Sequence, residues 1–236
     1  MEDNTNLDFK LIAEDCGLFS ETDYNVLTSR IDALKDKYCE RDLIKIYNYM
    51  LSNAQNTDII MYLIHCVEMY RDSSSLEVLV DILLLKNGSV EDEATKEKFI
   101  NVRVMCAKAI ANQKNTNVVS SLLYCLNNKH ENYKVRLACA DALGRIGDRF
   151  AVAPLIDVVK DEGEKSVYLR ESAVSALGLL VDTRAVDPLV SIIETKQGIM
   201  DKFSFLKERA IEAITRMGFG GNERVFKALK TSLSDE

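Results

Sequence analysis

Val135-Arg136-Leu137-Ala138-Cys139-Ala140-Asp141-Ala142-Leu143-Gly144-Arg145-Ile146-Gly147-Asp148, followed closely by Ala151-Val152-Ala153-Pro154-Leu155-Ile156, returns in large part 34 residues later. Arg170, Ala176-Leu177-Gly178, Asp182, Ala185-Val186 and Pro188 fall on Arg136, Ala142-Leu143-Gly144, Asp148, Ala151-Val152 and Pro154. Pro154 and Pro188 are the only prolines in the chain. Self-similarity at such a period marks a helical repeat array, in which one helix pair cannot bury its own apolar face and stacks on its neighbours. With Leu143 as anchor, the same slot holds Leu34, Val67, Ile110, Leu177 and Ile214, which gives six copies.

The second helix of each copy supports this register. Val152, Leu155, Ile156 and Val159 are spaced as one helical face requires. The corresponding slots hold Leu43, Ile46, Tyr47 and Met50; then Leu76, Leu79, Val80 and Leu83; then Val119, Leu122, Leu123 and Leu126; then Val186, Leu189, Val190 and Ile193. In the sixth copy Gly218-Phe219-Gly220-Gly221 lengthens the turn before Phe226, Leu229 and Leu233. The spacing predicts long helices over about 25–37, 57–71, 96–113, 132–146, 167–181 and 203–217, each followed by a shorter partner, and no strand. Ahead of Tyr24, Leu7, Leu11, Ile12 and Leu18 predict a short amphipathic helix, and Ser20-Glu21-Thr22-Asp23 predicts a helix cap. Residues 1–23 are thus read as a segment capping the array of 24–236, whose copies run about 24–56, 57–94, 95–131, 132–165, 166–202 and 203–236. Two long connections, Lys86 to Thr95 and Thr195 to Lys202, are candidates for partner contact.

The stretch 135–156 resembles the HEAT-like repeat of the phycobilisome-lyase type, as does Leu169 to Val190. The resemblance is strong over about 134–194, recognisable from 57 to 233 and weak in the first copy. It implies an all-α fold, a HEAT-like α-α superhelix of about six helix pairs with a short N-terminal capping helix. It implies no single function, because such arrays serve as scaffolds, adaptors, enzyme subunits and nucleic-acid binders.

At 236 residues and 47% hydrophobic, the chain is long enough to bury a sizeable core. Its 37 acids against 30 Lys and Arg oppose a phosphate backbone. No apolar run reaches the length of a membrane span, and Met1-Glu2-Asp3-Asn4 lacks the basic start of a signal peptide, so a soluble cytoplasmic protein is expected.

Among the polar slots, Arg103, Arg136, Arg170 and Lys207 stand near the start of successive long helices, and the preceding turns supply Asp72, Asn115, Asp148 and Asp182. Each cation is expected to reach the acid or amide of the copy before it, as a structural ladder. Cys106 and Cys139 share a slot with Ala173 and Ala210, and Cys66 shares one with Ala109, Ala142, Ala176 and Ala213, so these cysteines read as small core residues. No CxxC pair suggests zinc or redox chemistry. Of the two histidines, His65 falls on a solvent-facing slot; His130-Glu131 is a single His-Glu pair in a turn, where the di-iron hydroxylases of HEAT-like fold need several on helices. No cofactor, catalytic residue or metal site is expected.

The favoured function is a noncatalytic scaffold or adaptor binding a protein partner. In HEAT-like arrays the shorter helices line the concave face, where Asn48, Asp81, Tyr124, Asp157 and Ser191 form a polar stripe with one aromatic, suited to a basic or amphipathic segment. Two alternatives differ in class. The resemblance implies a bilin lyase-like enzyme subunit, against which no copy offers a nucleophile and base. A HEAT-like nucleic-acid binder would have a basic concave face with aromatics, against which stand the acidic balance, Asp81, Asp157 and the lack of tryptophan.

Overall fold

The computed structural model describes residues 7–84, 93–195, 204–218 and 222–232. All regular structure among them is helical, and the chain is an all-α solenoid of stacked helix pairs with an additional helix at its N-terminal end. The six long helices fall where the repeat spacing predicts them. Of the expected long connections, 86–92 and 196–202 lie outside the described residues, as do Phe219, Gly220, Gly221 and Leu233. By internal packing the chain forms two compact units, Met1–Ala109 and Ile110–Glu236.

The first unit contains α1 (Phe9–Cys16), α2 (Tyr24–Asp32), α3 (Glu40–Asn53), α4 (Thr57–Tyr70), α5 (Leu76–Leu84) and most of α6 (Glu93–Gln113). Asp8 caps α1 by accepting the Leu11 amide at 3.1 Å, and Gly17 closes it with φ at 86°. Asp23 caps α2, accepting the amides of Asn25 and Val26. The helix expected over 25–37 tightens at Ala33 into a 3-10 turn that ends at Asp36, a common way to satisfy the last carbonyls of a helix. α1 packs on α3, and α3 packs on α4. Their shared core includes Ile46, Tyr47, Met50, Leu63, Ile64 and Val67, all fully excluded from solvent. Each such side chain stabilises the fold by about 1.5–3 kcal/mol through burial.

The second unit holds the long helices α8 (Tyr133–Ile146), α10 (Val167–Leu180) and α12 (Ser204–Met217), interleaved with the short helices α7 (Val119–Asn127), α9 (Val152–Lys160), α11 (Val186–Glu194) and α13 (Glu223–Ser232). α10 packs against α8 on one side and α12 on the other. Glycine permits the close approach: a Cβ on Gly144 would stand 2.7 Å from the Cβ of Ala176, and one on Gly178 would stand 2.8 Å from that of Ala213. The repeated Ala-Leu-Gly is therefore a helix-to-helix contact motif, with each glycine set against the alanine of the next copy.

One turn device recurs in both units. Arg71, Lys114, Gly147 and Val181 each end a long helix in the left-handed region. The following Asp72, Asn115, Asp148 and Asp182 each accept the amide two residues on, at 2.7, 2.9, 2.9 and 3.0 Å, which starts a 3-10 turn into the short helix.

Candidate functional site

Those side chains cap their own turns, and the bonds seen from the cation slot run elsewhere than the expected ladder. Arg103, Arg136 and Arg170 instead donate through Nε to the carbonyls of Leu83, Leu126 and Val159, at 2.7, 2.9 and 3.2 Å. Those carbonyls lie in the last turns of α5, α7 and α9, where helical backbone lacks internal donors. In α6, α8 and α10 the cation slot thus ties the long helix to the end of the preceding short one. Arg103, Arg136 and Lys207 are buried, and Lys207 is not bonded to Asp182, whose partner is Arg184. The Arg184 guanidinium and backbone amide bring the Asp182 carboxyl down to about 2.

The stripe residues separate by unit. In the first, Asp81 is exposed, whereas Asn48 is half-buried and donates to the Ser74 hydroxyl at 3.4 Å, its own oxygen buried without a partner. In the second, Tyr124 and Asp157 are exposed on α7 and α9, while the Ser191 hydroxyl donates back to the Asp187 carbonyl of α11.

A different surface of the second unit is concave. A groove of about 1040 Å³ opens between the turns preceding α8 and α10 and the first turns of α8, α10 and α12. Tyr133, Tyr168 and Phe205 border it, 42%, 67% and 65% exposed. At its wall Arg136 and Glu164 form an ion pair of 2.6 Å between side chains only 7% and 8% exposed. Glu164 also accepts the Ser166 amide at 3.0 Å, which fixes the turn into α10. Lys129 bonds Asp161 across the two turns at 2.7 Å and, with the Gly163 amide, holds that carboxyl below its ordinary range. Glu171 accepts Nε of Arg209 at 2.9 Å.

A family model described as HEAT repeats matches residues 89–167, and one described as PBS lyase HEAT-like repeat matches residues 169–195. Over those residues the chain belongs to the HEAT-like repeat family. No curated protein was found to match it. In this HEAT-like array the groove lies within the two matched stretches except for Tyr168, the residue between them, and Phe205.

Sequence reasoning placed the candidate site on the short helices and passed over the groove. Its signal is present in the chain: Tyr168 and Phe205 occupy one repeat slot, two residues ahead of Arg170 and Lys207, where a solvent-facing helix start has no need of an aromatic. The cysteines conform to their slot assignment, since Cys66, Cys106 and Cys139 are buried, as are Cys16 and Cys125; Cys39 is exposed. Burial pushes the Cys66 thiol up to about 11. Among the described residues no helix is long and apolar enough to cross a membrane, and no group of three His, Cys, Asp or Glu is placed to hold a metal ion.

Proposed function

We propose that this protein is a noncatalytic interaction scaffold or adaptor that docks a basic or amphipathic segment of a partner protein in the groove of its second unit. A HEAT-like solenoid is typical of protein-binding scaffolds, a reading that the fold suggests and a site must carry. The groove carries it further, because three large aromatic side chains on three adjacent repeats stay exposed around one concavity. Aromatic side chains are the usual anchors of protein interfaces, and several gathered at one concavity are more telling than the single exposed aromatics, such as Phe150, elsewhere on the surface. The charge balance of 37 acids against 30 Lys and Arg favours a basic partner through long-range attraction.

The test is affinity capture from native lysate with mass spectrometry, comparing the unaltered chain, a Tyr168→Ala/Phe205→Ala variant and a Tyr124→Ala/Asp157→Lys variant. Partners lost with the first variant and retained with the second support the groove. Loss confined to the second moves the site to the short-helix stripe, and identical captures from all three chains overturn both placements.

A further inference from the structure

We propose that the groove holds an amphipathic segment of the partner by its apolar side chains, and that charge takes no part in what the groove selects. This rests on the groove being the docking site and chooses between the two kinds of segment, basic and amphipathic, that such a site could take.

The groove's charges are answered from within the protein. Lys129 bonds Asp161 at 2.7 Å, and Arg136 bonds Glu164 at 2.6 Å. Glu171 is bonded by Arg209 at 2.9 Å, and Glu131 accepts the Asn132 amide at 2.8 Å. The groove with Arg209 at its side thus carries four cations, Lys129, Arg136, Lys165 and Arg209, against four carboxylates, Glu131, Asp161, Glu164 and Glu171. A basic segment finds no net field here, and each of its cations would lose water or break a pair already formed. Helix direction adds to this, because the groove opens at the first turns of α8, α10 and α12, where backbone amides carry partial positive charge. An acidic segment is no better served. The starts of α8 and α10 are already capped, Asn132 accepting the Lys134 amide at 2.9 Å and Ser166 the Leu169 amide at 3.2 Å.

What stays open is apolar. Tyr133, Tyr168 and Phe205 stand exposed at the border, and Val167 lines the groove beside Tyr168. Covering them with the apolar face of a segment removes that area from water and needs no charged partner. The whole chain's net charge of −7 acts over distance on a partner's approach, whereas what is gripped is fixed by the surface in contact.

The experiment selects random peptides displayed on phage against the full chain and discards those that also bind a Tyr168→Ala/Phe205→Ala variant. Both substituted side chains are surface ones, so the variant should keep the circular dichroism of the unaltered chain; if it does not, Tyr168→Ala alone takes its place. Peptides that depend on the groove should be enriched in Leu, Ile, Met, Phe and Trp over the starting library, with Lys, Arg, Asp and Glu no more frequent than in it. In fluorescence anisotropy with one such peptide, replacing its most enriched apolar residue by serine should weaken binding about tenfold, the scale of one anchoring side chain. Neutralising the peptide's charges should change its affinity by less than about twofold, as for exposed charges without a fixed partner. Enrichment of Lys and Arg, or of Asp and Glu, with binding lost on their neutralisation, overturns the apolar selection and leaves the groove as a docking surface. Selection that yields no peptide able to tell the two chains apart overturns both. An unaltered chain that sediments as a dimer, beside a monomeric variant, makes a second copy the occupant and overturns the partner segment.

Discussion

Arg136 holds two acceptors that cannot easily find substitutes, the Leu126 carbonyl at the end of α7 and the Glu164 carboxylate in the turn before α10. Replacing it with methionine keeps much of the apolar stem and strands a buried carboxylate, so Arg136→Met should cost about 3–5 kcal/mol in urea unfolding. Adding Glu164→Leu to that variant removes the stranded charge and should recover part of the loss. A double variant less stable than Arg136→Met would show that Glu164 acts through the Ser166 amide more than through its ion pair. The cysteines admit a simpler check at the same scale. With Cys39 exposed and the other five buried, a thiol reagent should modify one cysteine of the native chain quickly and the rest only on unfolding. Rapid reaction of a second thiol would contradict the packed slots of Cys66, Cys106 and Cys139.

Helices here were legible because their determinants are local and recur. The apolar slots recur in six copies, the Asp or Asn of the turn in four, and Ala-Leu-Gly in two copies 34 residues apart, so independent local signals agree on the register. Partners of the polar slots were harder to read, because sequence spacing does not distinguish an aspartate that caps its own turn from one that reaches the next copy. The groove escaped for a related reason: its aromatics are ordinary residues at helix starts, and only the fold shows them bordering one concavity. Element boundaries yield a further prediction. Gly147 and Val181 end α8 and α10 with φ at 85° and 50°, and a β-branched residue is strained in that region where glycine is not. Val181 is 49% exposed and has little packing to lose. Val181→Gly should therefore stabilise the protein by about 1 kcal/mol despite the flexibility added to the unfolded chain, whereas Gly147→Val should destabilise it by a similar amount. Thermal unfolding of the two variants decides this, and a less stable Val181→Gly would mean that its side-chain contacts outweigh the backbone strain.

In a repeat array each copy is stabilised by its immediate neighbours, so damage should stay near where it is inflicted. Gly178 offers a sharp probe, because an added methyl would enter the 2.8 Å gap to Ala213 and force α10 and α12 apart. Overpacking of this kind costs about 1–3 kcal/mol. The chain's division into Met1–Ala109 and Ile110–Glu236 sets the expected reach of the effect. In Gly178→Ala, native-state amide exchange should accelerate in α10 and α12 and, more weakly, in α8 and α11, which pack on them. Protection of Ile46, Leu63 and Val67 in α3 and α4 should stay as it is in the unaltered chain. Local loss would also explain how the groove at the starts of α8, α10 and α12 could vary its occupant without endangering the first unit, since substitutions there would be answered only by adjacent helices. An equal loss of protection in α3, α4, α10 and α12 would show that the molecule unfolds as one cooperative body, and stability at the groove would then be set by the whole chain.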